Sequence, residues 1–242
     1  MSTANQVPPS STTSKSKMWF PLESNPPLVN KYIQNLGFDT THYEFTDVYS
    51  TESWALEMIP QPVAAVLMLY PISEKQEDYR KAEKVESTNE SSNVWFMKQR
   101  IGNACGTIGI MHALANIPNT LKQSSIQKSS WIDSYLQKCP ISTTDPIHKA
   151  EIFENDDKIE TMHDAATSDE SNQTNRGDDI NQKVDTHFVA LVHVNGKLYE
   201  LDGRKDGPVC HGETTQALIE TKINTFNLLM RGKSPIFSGK VP

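Results

Sequence analysis

The sequence predicts a mixed α/β fold, on three observations. Val63 to Tyr70 reads VAAVLMLY, an apolar run flanked by prolines. It suits a fully buried central strand and is too short for a buried helix. Asn195-Gly196 stands between two β-rich runs, THFVALVHV and KLYELD, which is the strongest short-range hairpin signal. Leu28, Val29, Tyr32, Ile33 and Leu36 recur at helical spacing, as do Ile108, Met111, Leu114 and Ala115. Helices and a buried strand alternate first, and a hairpin follows.

The 242 residues suffice for one substantial domain, expected over 18–242, and the net charge of −7 argues against nucleic-acid binding. Three cysteines without paired spacing argue against a disulfide framework and against zinc. No metal or cofactor is expected. No apolar stretch approaches membrane-spanning length and no signal peptide is visible. The expected protein is a monomer of the cytoplasm, with the nucleus as a second compartment, and with no membrane partner. Asn89-Glu-Ser91 and Asn172-Gln-Thr174 then match the glycosylation pattern by chance.

Met1 to Lys17 is Ser-, Thr- and Pro-rich and has almost nothing apolar to bury, so a flexible arm is expected. Order begins near Met18-Trp-Phe20. Asn25 is placed to cap a helix with Pro26 at its first position and Gly37 as its stop. His42 to Val48 reads as a strand, and Thr51 or Glu52 through Ile59 as a short helix ended by Pro60. Ser73 to Glu86 is densely charged and reads as a solvated surface segment that opens as a capped helix. Asn93 to Met97 is a short extended piece leading to Gln99. Trp131, Ile132, Tyr135 and Leu136 mark a helix that ends at Cys139-Pro140. Thr144 caps another, with Ile147, Ile152 and Phe153 inward. Glu154 to Lys183 shows no apolar periodicity and many acids, the pattern of a long lid or insertion. Thr214 to Met230 reads as a last helix.

Two stretches carry chemistry. Gln99-Arg-Ile-Gly-Asn-Ala-Cys105 puts a cysteine after a Gly-Asn turn and at the head of an apolar helix. Free N–H groups and the helix dipole there favour a thiolate. Gln99 carries an amide suited to an oxyanion. A cysteine in a helix serves equally well as packing. In the hairpin, an Asn-Gly turn sets Val194 opposite Lys197 and Ala190 opposite Leu201. His187 then shares a face with Asp202 as its diagonal neighbour, at a backbone separation of roughly 7–8 Å. A carboxylate there would fix the imidazole tautomer of a general base. An ordinary surface His–Asp pair fits the hairpin alone. Cys139 and Cys210 have no partner feature and read as structural.

Taken together, Gln99-Arg-Ile-Gly-Asn-Ala-Cys105-Gly-Thr-Ile-Gly, His187-Phe-Val-Ala, Leu201-Asp202-Gly-Arg and Pro208-Val-Cys-His211-Gly212 resemble the ubiquitin C-terminal hydrolases, papain-like cysteine peptidases of clan CA. The likeness runs from about Trp19 to about Gly232. It implies an antiparallel sheet flanked by helices, with a knotted backbone. It also implies roles: Cys105 as nucleophile, His187 as base and proton donor, Asp202 as its orienter, and Gln99 with the Cys105 N–H as oxyanion donors. The partner implied is ubiquitin, cleaved at its C-terminal glycine from small or unfolded adducts. Residues 154–183 correspond to a crossover loop over the active site. The alternatives are a ubiquitin-binding protein with an unproductive pocket and a hydrolase for a related modifier. In one respect the chain departs from the family. Its end, Ser234-Pro-Ile-Phe-Ser-Gly-Lys-Val-Pro242, is a broken version of the final apolar strand, which predicts an exposed sheet edge and lower stability. The absence of a long extension argues against a member tethered to a proteasome or to chromatin.

Overall fold

The computed structural model describes residues 17–82, 93–141, 144–172, 180 and 184–214, and the backbone of 236–239. Its first helix, α1 (Pro26–Leu36), starts where the Asn25 side chain accepts from the Leu28 N–H, and it buries Leu28, Val29, Tyr32, Ile33 and Leu36. Strand β1 (Phe45–Val48) is shorter than the 42–48 stretch expected. The Asp39 carboxylate takes both the backbone N–H and the hydroxyl of Thr41, which closes a turn ahead of the strand. A single helical turn, α2 (Ser53–Leu56), leads to β2 (Ala65–Pro71). Helix α3 (Glu74–Ala82) buries none of its residues, as its charge density implies.

Helix α4 (Cys105–Asn116) is buried from Gly106 to Asn116. It is followed by α5 (Asn119–Ser125), α6 (Trp131–Lys138), α7 (Pro146–Glu154) and α8 (Asp157–Thr167). The second half supplies β3 (Thr186–Val194), β4 (Lys197–Leu201), β5 (Val209–Glu213) and β6 (Ile236–Gly239). The strands form one sheet in the order β1-β6-β2-β3-β4-β5, with every neighbour antiparallel. The hairpin has the register its turn dictates, Val194 with Lys197, Val192 with Tyr199 and Ala190 with Leu201. Asn195 and Gly196 both take positive φ, 50° and 80°, which a two-residue turn of this hand needs and Gly supplies without strain.

Helix α4 packs across β2 and β3. Leu67, Phe188, Ala190, Val192 and Leu201 share one core with Ile108, Met111 and Ala115 of the helix and with α1 and α6 to α8. The opposite face of the sheet is covered by a smaller cluster of Val48, Leu56, Ile59 and Val63 on Val66, Leu191 and Leu198.

Several expectations are corrected. The 154–183 stretch is not structureless, because α8 occupies its first half with Ile159, His163, Ala166 and Thr167 buried. Asp156 caps it by accepting from the Lys158 and Ile159 N–H groups. Ile159 is wholly buried, a contribution of about 2 kcal/mol, and it anchors a helix that is charged elsewhere. His163 sits in the same core, stacked on Trp19 and bonded to Thr107 and the Phe20 carbonyl. Asp145, not Thr144, caps α7, since it directly precedes the proline at the first position. Ile147 is exposed rather than inward.

Helix α5 and strand β5 were not expected. Lys17 is no part of a free arm, because its ammonium pairs with Glu160 at 2.7 Å and donates to the Glu154 carbonyl. Asn172 is buried, accepting from the Glu23 N–H and donating to the Thr167 carbonyl, so its side chain has a structural use. The closing strand does not leave an edge beside β2, for β6 pairs with β1 on one side and with β2 on the other. The expected arm over 1–16, the expected helix from 215 to 230, and residues 173–179 and 181–183 of the expected lid lie outside the described residues.

Candidate active site

Cys105 is the first residue of α4, and the residue before it, Ala104, makes no side-chain cap. In contrast, Asn25, Ser130, Asp145 and Asp156 cap α1, α6, α7 and α8 with side-chain oxygens. The first-turn N–H groups of α4 thus stay available to an anion at the sulfur. The approach is sharply bent. Asn103 takes φ 60°, a conformation Asn tolerates better than most residues. Gly102 pairs with the N-terminal segment, donating to the Lys17 carbonyl at 2.8 Å and accepting from the Trp19 N–H at 3.0 Å.

His187, the second residue of β3, stands opposite Tyr70 of β2, whose ring meets the imidazole edge-on at 5.7 Å. Its Nε2 lies 2.7 Å from Asp202 Oδ1, and both side chains are buried. Asp202 follows β4 directly, and the same Oδ1 accepts the Arg204 N–H at 2.8 Å. With Nε2 engaged by the carboxylate, the other ring nitrogen is left for Cys105. Gln99 is held from both sides. Its backbone N–H donates to the Gly203 carbonyl at 2.8 Å, and its side-chain Nε2 donates to the Ile101 carbonyl at 3.0 Å. A Cβ on Gly203 would fall 2.9 Å from the Gln99 Cβ and 3.0 Å from Ile108, so only glycine allows this close approach.

The electrostatics follow from these contacts. Burial pushes the Cys105 thiol up, but the His187 imidazole and the N–H groups of Phe188 and Gly106 outweigh it and bring the thiol below its ordinary range. Burial opposes charge on His187 too, and its bonds to Asp202 and Cys105 raise its pKa regardless. Burial would raise the Asp202 carboxyl, yet the hydrogen bond from His187 holds it down at about 2. The arrangement is a thiol of lowered pKa bonded to an imidazole that a carboxylate steadies, a set suited to attack an acyl carbon and to protonate the group that leaves.

The structure thus brings Gln99, Cys105, His187 and Asp202 to one place, where β2 ends and β3 begins. The sequence reading missed three local supports: the Phe188 N–H, the Gly203 carbonyl and the Arg204 N–H. The glycine next to Asp202 was the available signal. Among the described residues no group of three or more His, Cys, Asp or Glu is placed to hold a metal, and no helix is long and apolar enough to cross a membrane.

Comparison with known proteins gives concordant likenesses. The sequence model of ubiquitin carboxyl-terminal hydrolase family 1 matches residues 19–230. Ubiquitin carboxyl-terminal hydrolase 3 of Arabidopsis thaliana is 42% identical over 211 residues, 86% of this chain and 86% of its own length. Isozyme L1 of Homo sapiens is 35% identical over 198 residues, 81% of this chain and 83% of its own. In fold, the chain is similar to the Trichinella spiralis UCH37 catalytic domain bound to ubiquitin vinyl methyl ester. The TM-score is 0.73 at 17% identity, over 97% of this chain and all of that one.

Proposed function

The chain belongs to ubiquitin carboxyl-terminal hydrolase family 1, and from that premise we propose that it is a thiol-dependent deubiquitinase acting through Cys105. One observation carries the reading: the cysteine at the uncapped start of α4 lies against a histidine that a buried aspartate holds at 2.7 Å. The thiolate attacks the carbonyl carbon of ubiquitin's C-terminal glycine. The Cys105 N–H and the second hydrogen of the Gln99 amide stabilise the oxyanion. The tetrahedral intermediate collapses, and the leaving amine or thiol takes the proton of His187. Water, deprotonated by His187, then hydrolyses the thioester and restores the thiol. Asp202 keeps the imidazole oriented through both halves.

Access is narrow in this reading. Asn103 Nδ2, two residues before the nucleophile, donates to the Ile180 carbonyl at 3.4 Å. Ile180, between α8 and β3 in the chain, thus lies beside the nucleophile turn, which supports small or unfolded leaving groups. A monomer in the cytoplasm, with access to the nucleus, completes the proposal.

The test is hydrolysis of a ubiquitin C-terminal fluorogenic amide by the wild type and by Cys105→Ala. The expected outcome is release by the wild type and a loss of at least about a thousandfold in the variant, with ubiquitin binding kept. Turnover retained by Cys105→Ala overturns the mechanism. Binding without release by the wild type favours a ubiquitin-binding protein, and release from a related modifier alone reassigns the substrate.

A further inference from the structure

Beside the catalytic groups lies a second set of charges that the mechanism does not use. Side chains alternate along β4, so Glu200 shares a face with Asp202. Glu200 pairs in register with Val209 of β5, which makes His211 its diagonal neighbour. The Glu200 carboxylate is bracketed, with Lys205 Nζ at 2.6 Å on one oxygen and His211 Nε2 at 3.1 Å on the other. The side chains of Glu200 and Lys205 are 9% and 5% exposed. A buried pair of this kind adds little net stability over apolar residues of the same size. Stability alone is therefore a poor account of three ionisable groups placed here.

The pair does fix a direction. Lys205 reaches Glu200 from a turn in which its own N–H donates to the Asp202 carbonyl at 2.9 Å. The same turn supplies the Arg204 N–H to Asp202 Oδ1 and the Gly203 carbonyl to the Gln99 N–H. The Lys205 carbonyl also accepts from Lys98 Nζ at 2.6 Å, next to Gln99 in the chain. One turn thus connects the carboxylate that orients the base and the segment that delivers the oxyanion amide. At Gly203 the turn has no slack against Gln99 and Ile108, so a shift of the turn moves both.

Resting on the hydrolase reading above, we propose that the Glu200–Lys205 pair, closed by His211, is a positioning clamp that holds the Asp202–Lys205 turn in catalytic register. Neither residue touches the reacting atoms. They act through Asp202 on His187 and through Gly203 on Gln99. The groups that face His187 are Cys105 from α4, Tyr70 from β2 and Asp202. Glu77 and Arg80 of α3, with Arg204, lie around Tyr70 and Asp202 and are unaltered by the variants below, whereas Glu200 acts on Tyr70 and Lys205 on Asp202 through their own charges, which Lys205→Arg keeps and the double variant removes together.

The test uses Lys205→Met, Glu200→Gln with Lys205→Met, and Lys205→Arg in the full chain. Three quantities are read: thermal midpoint, kcat and KM on the ubiquitin amide, and the pH dependence of Cys105 alkylation by iodoacetamide. The last needs no ubiquitin. Lys205→Met leaves the buried Glu200 carboxylate with His211 alone and lowers the midpoint, and the double variant recovers it by removing both charges. A clamp predicts that both lose about tenfold in kcat with KM nearly unchanged. It also predicts that both shift the onset of alkylation to higher pH, and that Lys205→Arg restores the two readouts. If Lys205→Met does not fold, the double variant and Lys205→Arg carry the test. A double variant with wild-type kcat and a wild-type alkylation profile overturns the clamp and leaves the pair as scaffold. Wild-type alkylation at low pH without amide release overturns the hydrolase reading instead, and the alkylation shift then decides the clamp by itself.

Discussion

Cys105 and Cys139 carry the same side chain at opposite ends of two helices. Cys105 starts α4, where backbone N–H groups point at the sulfur; Cys139 ends α6 as its C-cap, where carbonyls collect. Burial pushes both thiols up. At Cys139, wholly buried beside Tyr135, nothing outweighs that push and the pKa is raised. At Cys105 the His187 imidazole reverses it. A sulfur in a protein interior is inert by default, and a nucleophile needs a cation that something else holds in place. That something is Asp202.

The contrast can be broken most forcefully at Asp202. Asp202→Asn removes the charge that keeps His187 protonated and oriented, so Cys105 should come to resemble Cys139. The expected loss in kcat is about 10²-fold or more, measured on the ubiquitin amide with folding checked by circular dichroism. Selective alkylation sharpens the same point. At about pH 6 an ordinary thiol is almost wholly protonated, so brief iodoacetamide treatment should label Cys105 and leave Cys139 unmodified until the chain is denatured. Peptide mapping reads both sites in one sample.

Folding stability responds next. Burial lowers the His187 pKa, but Asp202 and Cys105 outweigh it and lift it from 6.5 to about 9. The folded state thus holds the proton more tightly than the unfolded chain. The stabilisation is complete below the ordinary value and is lost as pH rises through the folded one. The lowered Cys105 thiol contributes with the opposite sign, so the His187 term is read in a Cys105→Ala background that keeps the Asp202 bond: there, urea midpoints followed from about pH 6 to about pH 9 should fall, and change less once His187→Gln is added. The smallest effect belongs to Cys139→Ala, which should cost about 1 kcal/mol of stability through lost packing and leave kcat unchanged.

The site was legible in the sequence because each of its parts is set locally. An Asn-Gly turn fixes the register that places His187 and Asp202 on one face, and a turn before an apolar helix places Cys105 at its start. The misses have a different physical origin. Helix α8 has an apolar face interrupted by His163, which reads as polar in one dimension and packs against Trp19 in three. Ile147 lies at an inward-looking spacing, but capping by Asp145 sets the phase of α7 and turns it outward. Strand β6 draws its order from β1 and β2, both far away in the chain, and a broken apolar run carries no trace of such partners. Nor did Glu200, Lys205 and His211 announce themselves, since their meeting requires the turn after β4 to fold back.

The position of β6 bears on how the molecule is made. Phe45 pairs with Gly239, so β1 must wait for a strand made nearly two hundred residues later. Until then β1 and the free side of β2 are unzipped edges, open to other chains. Closing so long a loop is slow. A nascent chain therefore carries Cys105, His187 and Asp202 before the sheet behind them is complete. An interrupted product would present much of the catalytic set on an open sheet, marked for aggregation or disposal. Topology thus keeps the sheet open until β6 has been made.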